Sequence, residues 1–190
     1  MNLYRKLSQL DENNTPLRLG LIGAGKFATM YLAQIPKTPG IHLAGIADLV
    51  PDNAKSNLNK VGWSEQHYGA LSLDDAISKG NTFVSDDWEQ LVRNPDIDII
   101  IEATGSPMAA VSHVLGAIEH GKHIVMVTVE ADVFCGPLLK QKADTAGVVY
   151  SLAYGDQPAL ICELVDWARA SGFMVKAAGR GHKWRPEYKQ

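Results

Sequence analysis

The residues Gly23-Ala24-Gly25-Lys26-Phe27-Ala28 follow an apolar run directly and open a segment of helical spacing. That context gives a GxGxx(G/A) pattern its chemical meaning, a backbone turn that can cradle a diphosphate. The first glycine permits a sharp turn, the second leaves room for a pyrophosphate to approach the backbone, and the small Ala28 lets helix and strand pack closely. Lys26 and Phe27 then occupy the first helical turn, whose free N–H groups and positive dipole end face the phosphates. Asp48 lies 20 residues beyond Ala28, at the end of the next apolar run. A carboxylate there accepts hydrogen bonds from ribose hydroxyls, which favours NAD over NADP. Lys55 or Lys26 could offset the charge of a 2′-phosphate, so both cofactors stay open. The plain alternative is a glycine turn that serves helix packing and holds no ligand.

Two later clusters could complete such a site. In Glu102-Ala103-Thr104-Gly105-Ser106-Pro107 a small-residue turn again follows an apolar run. Thr104, Gly105 and Ser106 suit the nicotinamide half of the cofactor, while Glu102 either shares that role or caps the next helix. In Val127-Thr128-Val129-Glu130-Ala131-Asp132 two carboxylates fall at the same kind of edge. Glu130, the candidate catalytic residue, could orient a substrate hydroxyl, bind a metal or relay a proton, whereas Asp132 better suits charging a helix N-terminus. His113, His120 and His123 invite a metal reading, but Gly121 should end the helix carrying the first two, and no metal ligands are assigned. No GxSxG elbow is present for hydrolase chemistry. Arg180, His182, Lys183, Arg185 and Lys189, with Trp184 and Tyr188, suit a solvated interdomain segment or contacts to a substrate phosphate.

These residues need a scaffold that brings strand ends to one edge. Short continuous apolar runs, typical of strands buried on both faces, predict strands at Leu17–Ile22, Leu43–Ala47, Phe83–Ser85, Ile97–Glu102, His123–Val127 and Val148–Leu152. Helical patterns lie between them at Lys26–Ile35, Pro51–Val61, Leu73–Ser78, Asp87–Val92, Pro107–His120 and Pro137–Thr145. Pro51 and Pro107 fit first-turn positions, and Gly121 fits a helix end. The alternation predicts an α/β fold, a doubly wound and mostly parallel sheet of the Rossmann type. Leu3, Leu7 and Leu10 add a short N-terminal helix that clasps the body. Residues 1–16 are thus a helix and turn, 17–178 the dinucleotide-binding domain, and 179–190 an exit segment toward a second domain. The connection Gly62–Asn81 is unusually long for this fold and carries its own helical pattern. Past Gly155 a helix near Pro158–Ala170 is expected, then a strand at Phe173–Ala178.

Composition narrows the partners. The 190 residues carry a net charge of −3, with both signs interspersed, so no single-sign field draws nucleic acid or anionic lipid. Cys135 and Cys162 form no CxxC pair or bridge framework, which fits a reducing cytoplasm. No signal-like block or run of about 18 apolar residues points to export or a membrane. A small-molecule substrate is the expected partner.

The segments Met1–Leu7, Leu19–Phe27, Glu102–Pro107 and Val129–Val133 followed by Gly136-Pro137 together resemble the homoserine-dehydrogenase-like oxidoreductases. That group includes the DXR-like proteins, the second class of deoxyxylulose phosphate reductoisomerases. The resemblance spans essentially the whole chain. It implies an NADPH-dependent enzyme of isoprenoid precursor synthesis that converts deoxyxylulose phosphate to methylerythritol phosphate with a divalent cation. A homoserine-dehydrogenase-like or sugar dehydrogenase acting on another small polyol, or a non-catalytic nicotinamide-binding module, is the alternative. Members are about twice this length, with a catalytic and dimerising portion after the cofactor domain, so homo-oligomers are expected of the longer form. Carried over, Gly23, Gly25, Ala28, Thr104, Gly105 and Glu130 match cofactor-edge positions, and most substrate and metal ligands would lie beyond Gln190. Two departures stand out. Asp48 sits awkwardly with NADPH, and Glu130 is followed by Ala131 and Asp132 where the sugar oxidoreductases often have Glu-Lys-Pro.

Overall fold

A computed structural model describes residues 2–153 and 157–179. It divides into two compact units, Met1–Ser151 and Leu152–Gln190. The first is built on a six-stranded sheet: β1 (Leu17–Ile22), β2 (Ile41–Ala47), β3 (Phe83–Ser85), β4 (Ile99–Glu102), β5 (His123–Met126) and β6 (Tyr150–Leu152). The strand order is β3-β2-β1-β4-β5-β6, with parallel pairing throughout the resolved registers. The doubly wound Rossmann expectation therefore holds. Order reverses between β1 and β4, and the crevice outside their carboxyl ends is where such sheets bind ligands.

Helices α1 (Leu3–Glu12), α2 (Lys26–Gln34), α3 (Pro51–Lys60), α4 (Glu65–Tyr68), α5 (Leu73–Lys79), α6 (Trp88–Arg93), α7 (Pro107–Glu119) and α8 (Val129–Ala146) fill the connections. Leu19 and Leu21 face α2 and α3, packing with Ala28, Leu32, Ala54 and Leu58. On the other face, Gly20 and Gly45 pair across β1 and β2 and form a notch for Leu91 of α6. A β-carbon at Gly45 would lie 2.3 Å from Leu91 Cδ2, so only glycine lets α6 settle at this depth. The register slips by one between Leu19 and Gly20, leaving an extra residue on β2. This bulge resets the alternation, which is why Leu43 and Ile46, three apart, reach the same core.

Several boundaries differ from the sequence expectation. β2 begins earlier, at Ile41, and β4 and β6 later, at Ile99 and Tyr150. Helix α8 starts at Val129 rather than Pro137. Non-helical dihedrals at Cys135 divide it, so Pro137 opens only its second segment, where its missing N–H and ring bulk are tolerated. The second unit contains α9 (Gln157–Ala170). The strand expected at Phe173–Ala178 does not form; Phe173 and Met174 are exposed, and the stretch has no regular structure. The basic and aromatic residues from Arg180 to Lys189 lie outside the described residues. Among the described residues no helix is long and apolar enough to cross a membrane.

At the start of β5, Lys122 is buried and donates through Nζ to the carbonyls of Asn94 (2.6 Å) and Ile97 (2.8 Å). Burial lowers its pKa, against the pull of Asp98 and Asp96. The folded chain therefore binds fewer protons than the unfolded chain just below the ordinary lysine value of about 10.4, and this group makes stability rise with pH across that window. Lys122→Met should cost about 1–2 kcal/mol at neutral pH by stranding two carbonyls, and should flatten that alkaline rise. Urea unfolding at neutral and alkaline pH measures both effects.

Candidate functional site

The glycine turn leaves β1 as the chain bends through Gly23, whose φ of +91° suits glycine. A β-carbon there would come within 2.7 Å of Thr104 Cα and 2.8 Å of the Ala103 carbonyl. Gly23 thus lets the ends of β1 and β4 abut. Gly25 differs: it is the N-cap of α2, with φ of −74°, and nothing lies within 4 Å of where its β-carbon would stand. No side chain caps α2. Lys26 and Phe27 are exposed in its first turn, while Ala28 is buried against β1.

Asp48 stands where β2 ends, and both its oxygens are already in use. Oδ2 accepts the Ala24 N–H at 2.8 Å and Oδ1 the Val50 N–H at 3.0 Å. The Asn57 side-chain amide donates to the Ala24 carbonyl at 2.9 Å, so the turn is held from both sides of its peptide chain. A carboxylate has about four lone-pair positions, which leaves Asp48 capacity for further donors. Lys55, one of the two cations that could offset a 2′-phosphate, lines a separate recess with Glu65 and Tyr68.

Gly23, Gly25, Asp48 and Thr104 line one cleft of about 220 Å³ at the switch point. Asp86, Trp88 and His113 join them, and none was assigned there from sequence. Asp86 had a signal, since it follows β3 as Asp48 follows β2. Trp88 and His113 had none: they come from α6 and α7 and meet only in space, with ring centroids 4.8 Å apart.

Beneath the cleft Glu102 is fully buried. Its Oε1 accepts the Thr104 hydroxyl at 2.6 Å and His113 Nδ1 at 3.2 Å, while Oε2 is buried with no hydrogen-bond partner. Thr104 Oγ1 in turn accepts the Ser106 N–H at 3.2 Å. Both sequence readings of Glu102 are thereby corrected. It makes no cap on α7, and it shapes the β4–α7 loop from below instead of lining the cleft. Gly105 donates its N–H to Thr128 Oγ1 at 3.0 Å, tying this loop to the residue before α8.

Glu130 occupies the first turn of α8 with an exposed side chain, two residues past Thr128 and outside the cleft lining. Asp132 has a structural partner: Tyr150 donates its hydroxyl to Oδ1 at 2.8 Å. Burial, then this hydrogen bond, pushes the Tyr150 phenol well above its ordinary pKa, so it stays a donor. The three histidines separate. His113 joins Glu102, His120 contacts the Gly116 carbonyl, and His123 Nδ1 accepts from the Val149 N–H.

The sequence family described as homoserine dehydrogenase, NAD binding domain, matches residues 23–152. A second, described as oxidoreductase DRL, catalytic domain, matches residues 155–190. A homoserine dehydrogenase of Neisseria gonorrhoeae is 32% identical over 114 residues, covering 58% of this chain and 22% of the relative. The chain thus spans about a fifth of that protein's length. Among solved structures, a homoserine dehydrogenase from Thiobacillus denitrificans matches with a TM-score of 0.57 at 21% identity, over 72% of this chain and 29% of that one. A biliverdin reductase from Synechocystis, solved with biliverdin and NADP+, matches with a TM-score of 0.53 at 19% identity, over 82% and 42%. Both likenesses speak to the fold.

Proposed function

The chain belongs to the family of homoserine dehydrogenase NAD-binding domains, and from that membership we propose that it is the cofactor-holding part of an enzyme moving a hydride between a nicotinamide and a small, polar, phosphorylated substrate. The observation that carries this reading is the open space at Gly25 in front of an uncapped helix, at the switch point of the sheet. The residues fit a dinucleotide. Gly23 and Gly25 shape the turn, and the N–H groups at Lys26 and Phe27 face the diphosphate. Asp48 receives the ribose hydroxyls, while Thr104, Gly105 and Ser106 border the nicotinamide half. When bound, the nicotinamide supplies or accepts the hydride. Glu130, the exposed carboxylate at the same edge, orients a substrate hydroxyl or takes its proton.

For the cofactor we favour NADH. Two carboxylates, Asp48 and Asp86, line the cleft with no lysine or arginine, so a 2′-phosphate would meet like charge. Fluorescence titration should give NADH an affinity about tenfold tighter than NADPH. Asp48→Asn should narrow that gap to a few-fold. Tighter NADPH binding would reverse the cofactor choice, and failure of both to bind below millimolar levels would overturn the oxidoreductase reading.

We propose deoxyxylulose phosphate as the substrate on the likeness of the motif order along the chain to the DXR-like proteins; residues 155–190 match the family described as oxidoreductase DRL, catalytic domain, whose description names no substrate. In this reading a divalent cation is held mainly by residues outside this chain, and the longer form is a homo-oligomer. A homoserine-dehydrogenase-like activity is supported as well by the match over residues 23–152. Assaying the protein with deoxyxylulose phosphate plus a divalent cation, and separately with homoserine, following nicotinamide absorbance, separates the two.

A further inference from the structure

The long connection Gly62–Asn81 has no part in the cofactor edge. Together with the end of α2 and the start of β2 it encloses a cavity of about 390 Å³. Small-molecule sites typically measure ~300–1,000 Å³. Ile41, His42 and Leu43, which open β2, form one wall, so the cavity lies at the opposite end of that strand from Asp48.

Its lining combines a rigid apolar body with one lysine and two imidazole rings. Ile35, Leu43, Val61 and Trp63 supply its apolar lining. The indole is fixed by Nε1 donating to the Leu32 carbonyl at 2.8 Å, and its ring meets His67 edge-on at 6.2 Å. Lys37, His42 and His67 also line the cavity, and no aspartate or glutamate does. His67 Nδ1 accepts the Ser64 N–H at 3.3 Å, which places the ring proton on Nε2 as a donor. His42 Nε2 is committed to the Asn81 carbonyl at 2.8 Å. Lys37 takes part in no ion pair among the described residues. A cation and an N–H donor beside a fixed aromatic face favour a ligand with an anionic head and a planar apolar body.

We propose that this cavity binds a small aromatic carboxylate, its carboxylate on Lys37 and His67 and its ring against Trp63. The site is separate from the dinucleotide cleft and does not depend on that assignment.

Benzoate is the probe, with benzamide as its neutral isostere and inorganic phosphate as an anion lacking an apolar body. Calorimetric titration of the full chain should give a benzoate Kd of about 1 mM or below, with benzamide at least about tenfold weaker and phosphate weaker still. Lys37→Glu should weaken benzoate about tenfold or more, while leaving the thermal midpoint and NADH affinity unchanged. His67→Gln tests the second contact in the same way. The proposal falls if benzoate fails to bind below about 10 mM, if benzamide or phosphate binds equally well, if neither substitution weakens benzoate, or if NADH displaces it.

Discussion

Replacing Glu102 with alanine should lower the free energy of unfolding by about 3 kcal/mol and weaken dinucleotide binding about tenfold. The carboxylate is fully buried and is the acceptor that the Thr104 hydroxyl and His113 Nδ1 share. Its removal strands both donors and leaves a void under the β4–α7 loop. Thr104 itself lines the cleft and its hydroxyl also accepts the Ser106 N–H, so the loss reaches both the cleft wall and the rest of the loop. Glu102→Gln should cost about 1 kcal/mol, because the amide oxygen still accepts from Thr104. Urea unfolding with parallel NADH titration reads both quantities. An alanine variant within about 0.5 kcal/mol of the parent would show that this network does not shape the loop.

The same substitution at two neighbouring glycines should have opposite signatures. Gly23→Ala should destabilise the fold by about 2–4 kcal/mol, since the positive φ disfavours a side chain and the new methyl would collide with the Ala103 and Thr104 backbone. Gly25→Ala should cost less, about 0.5–1 kcal/mol, because its φ is negative, its surroundings are open and alanine is only a poorer N-cap. It should nevertheless weaken NADH by about tenfold or more, by placing a methyl where the diphosphate approaches. Thermal unfolding and fluorescence titration of the two variants test the pair. Intact NADH binding in Gly25→Ala would remove the turn from the cofactor site.

Some of the site was legible because its signals are local. Asp48 could be placed at a strand end from its distance to the glycine turn, yet its hydrogen bonds to Ala24 and Val50 could not, since they depend on how the turn folds back over β2. Trp88 and His113 left no mark in the sequence, because the rings belong to helices that meet only when both crossovers lie on one face of the sheet. The apolar run Phe173–Ala178 shows the converse error. A strand needs a partner for its backbone groups, and apolar composition alone does not provide one.

What the chain determined by itself was the alternation of strands and helices, the β1 and β3 spans, and the helix starts at Lys26, Pro51 and Pro107, which proline and glycine stereochemistry dictates within a few residues. Tertiary structure decided the bulge in β2, the Gly20 and Gly45 notch for Leu91, the start of α8 before its proline, and the burial of Glu102. Each of these depends on a partner distant in sequence, and the free energy that selects it exists only once both surfaces have come together.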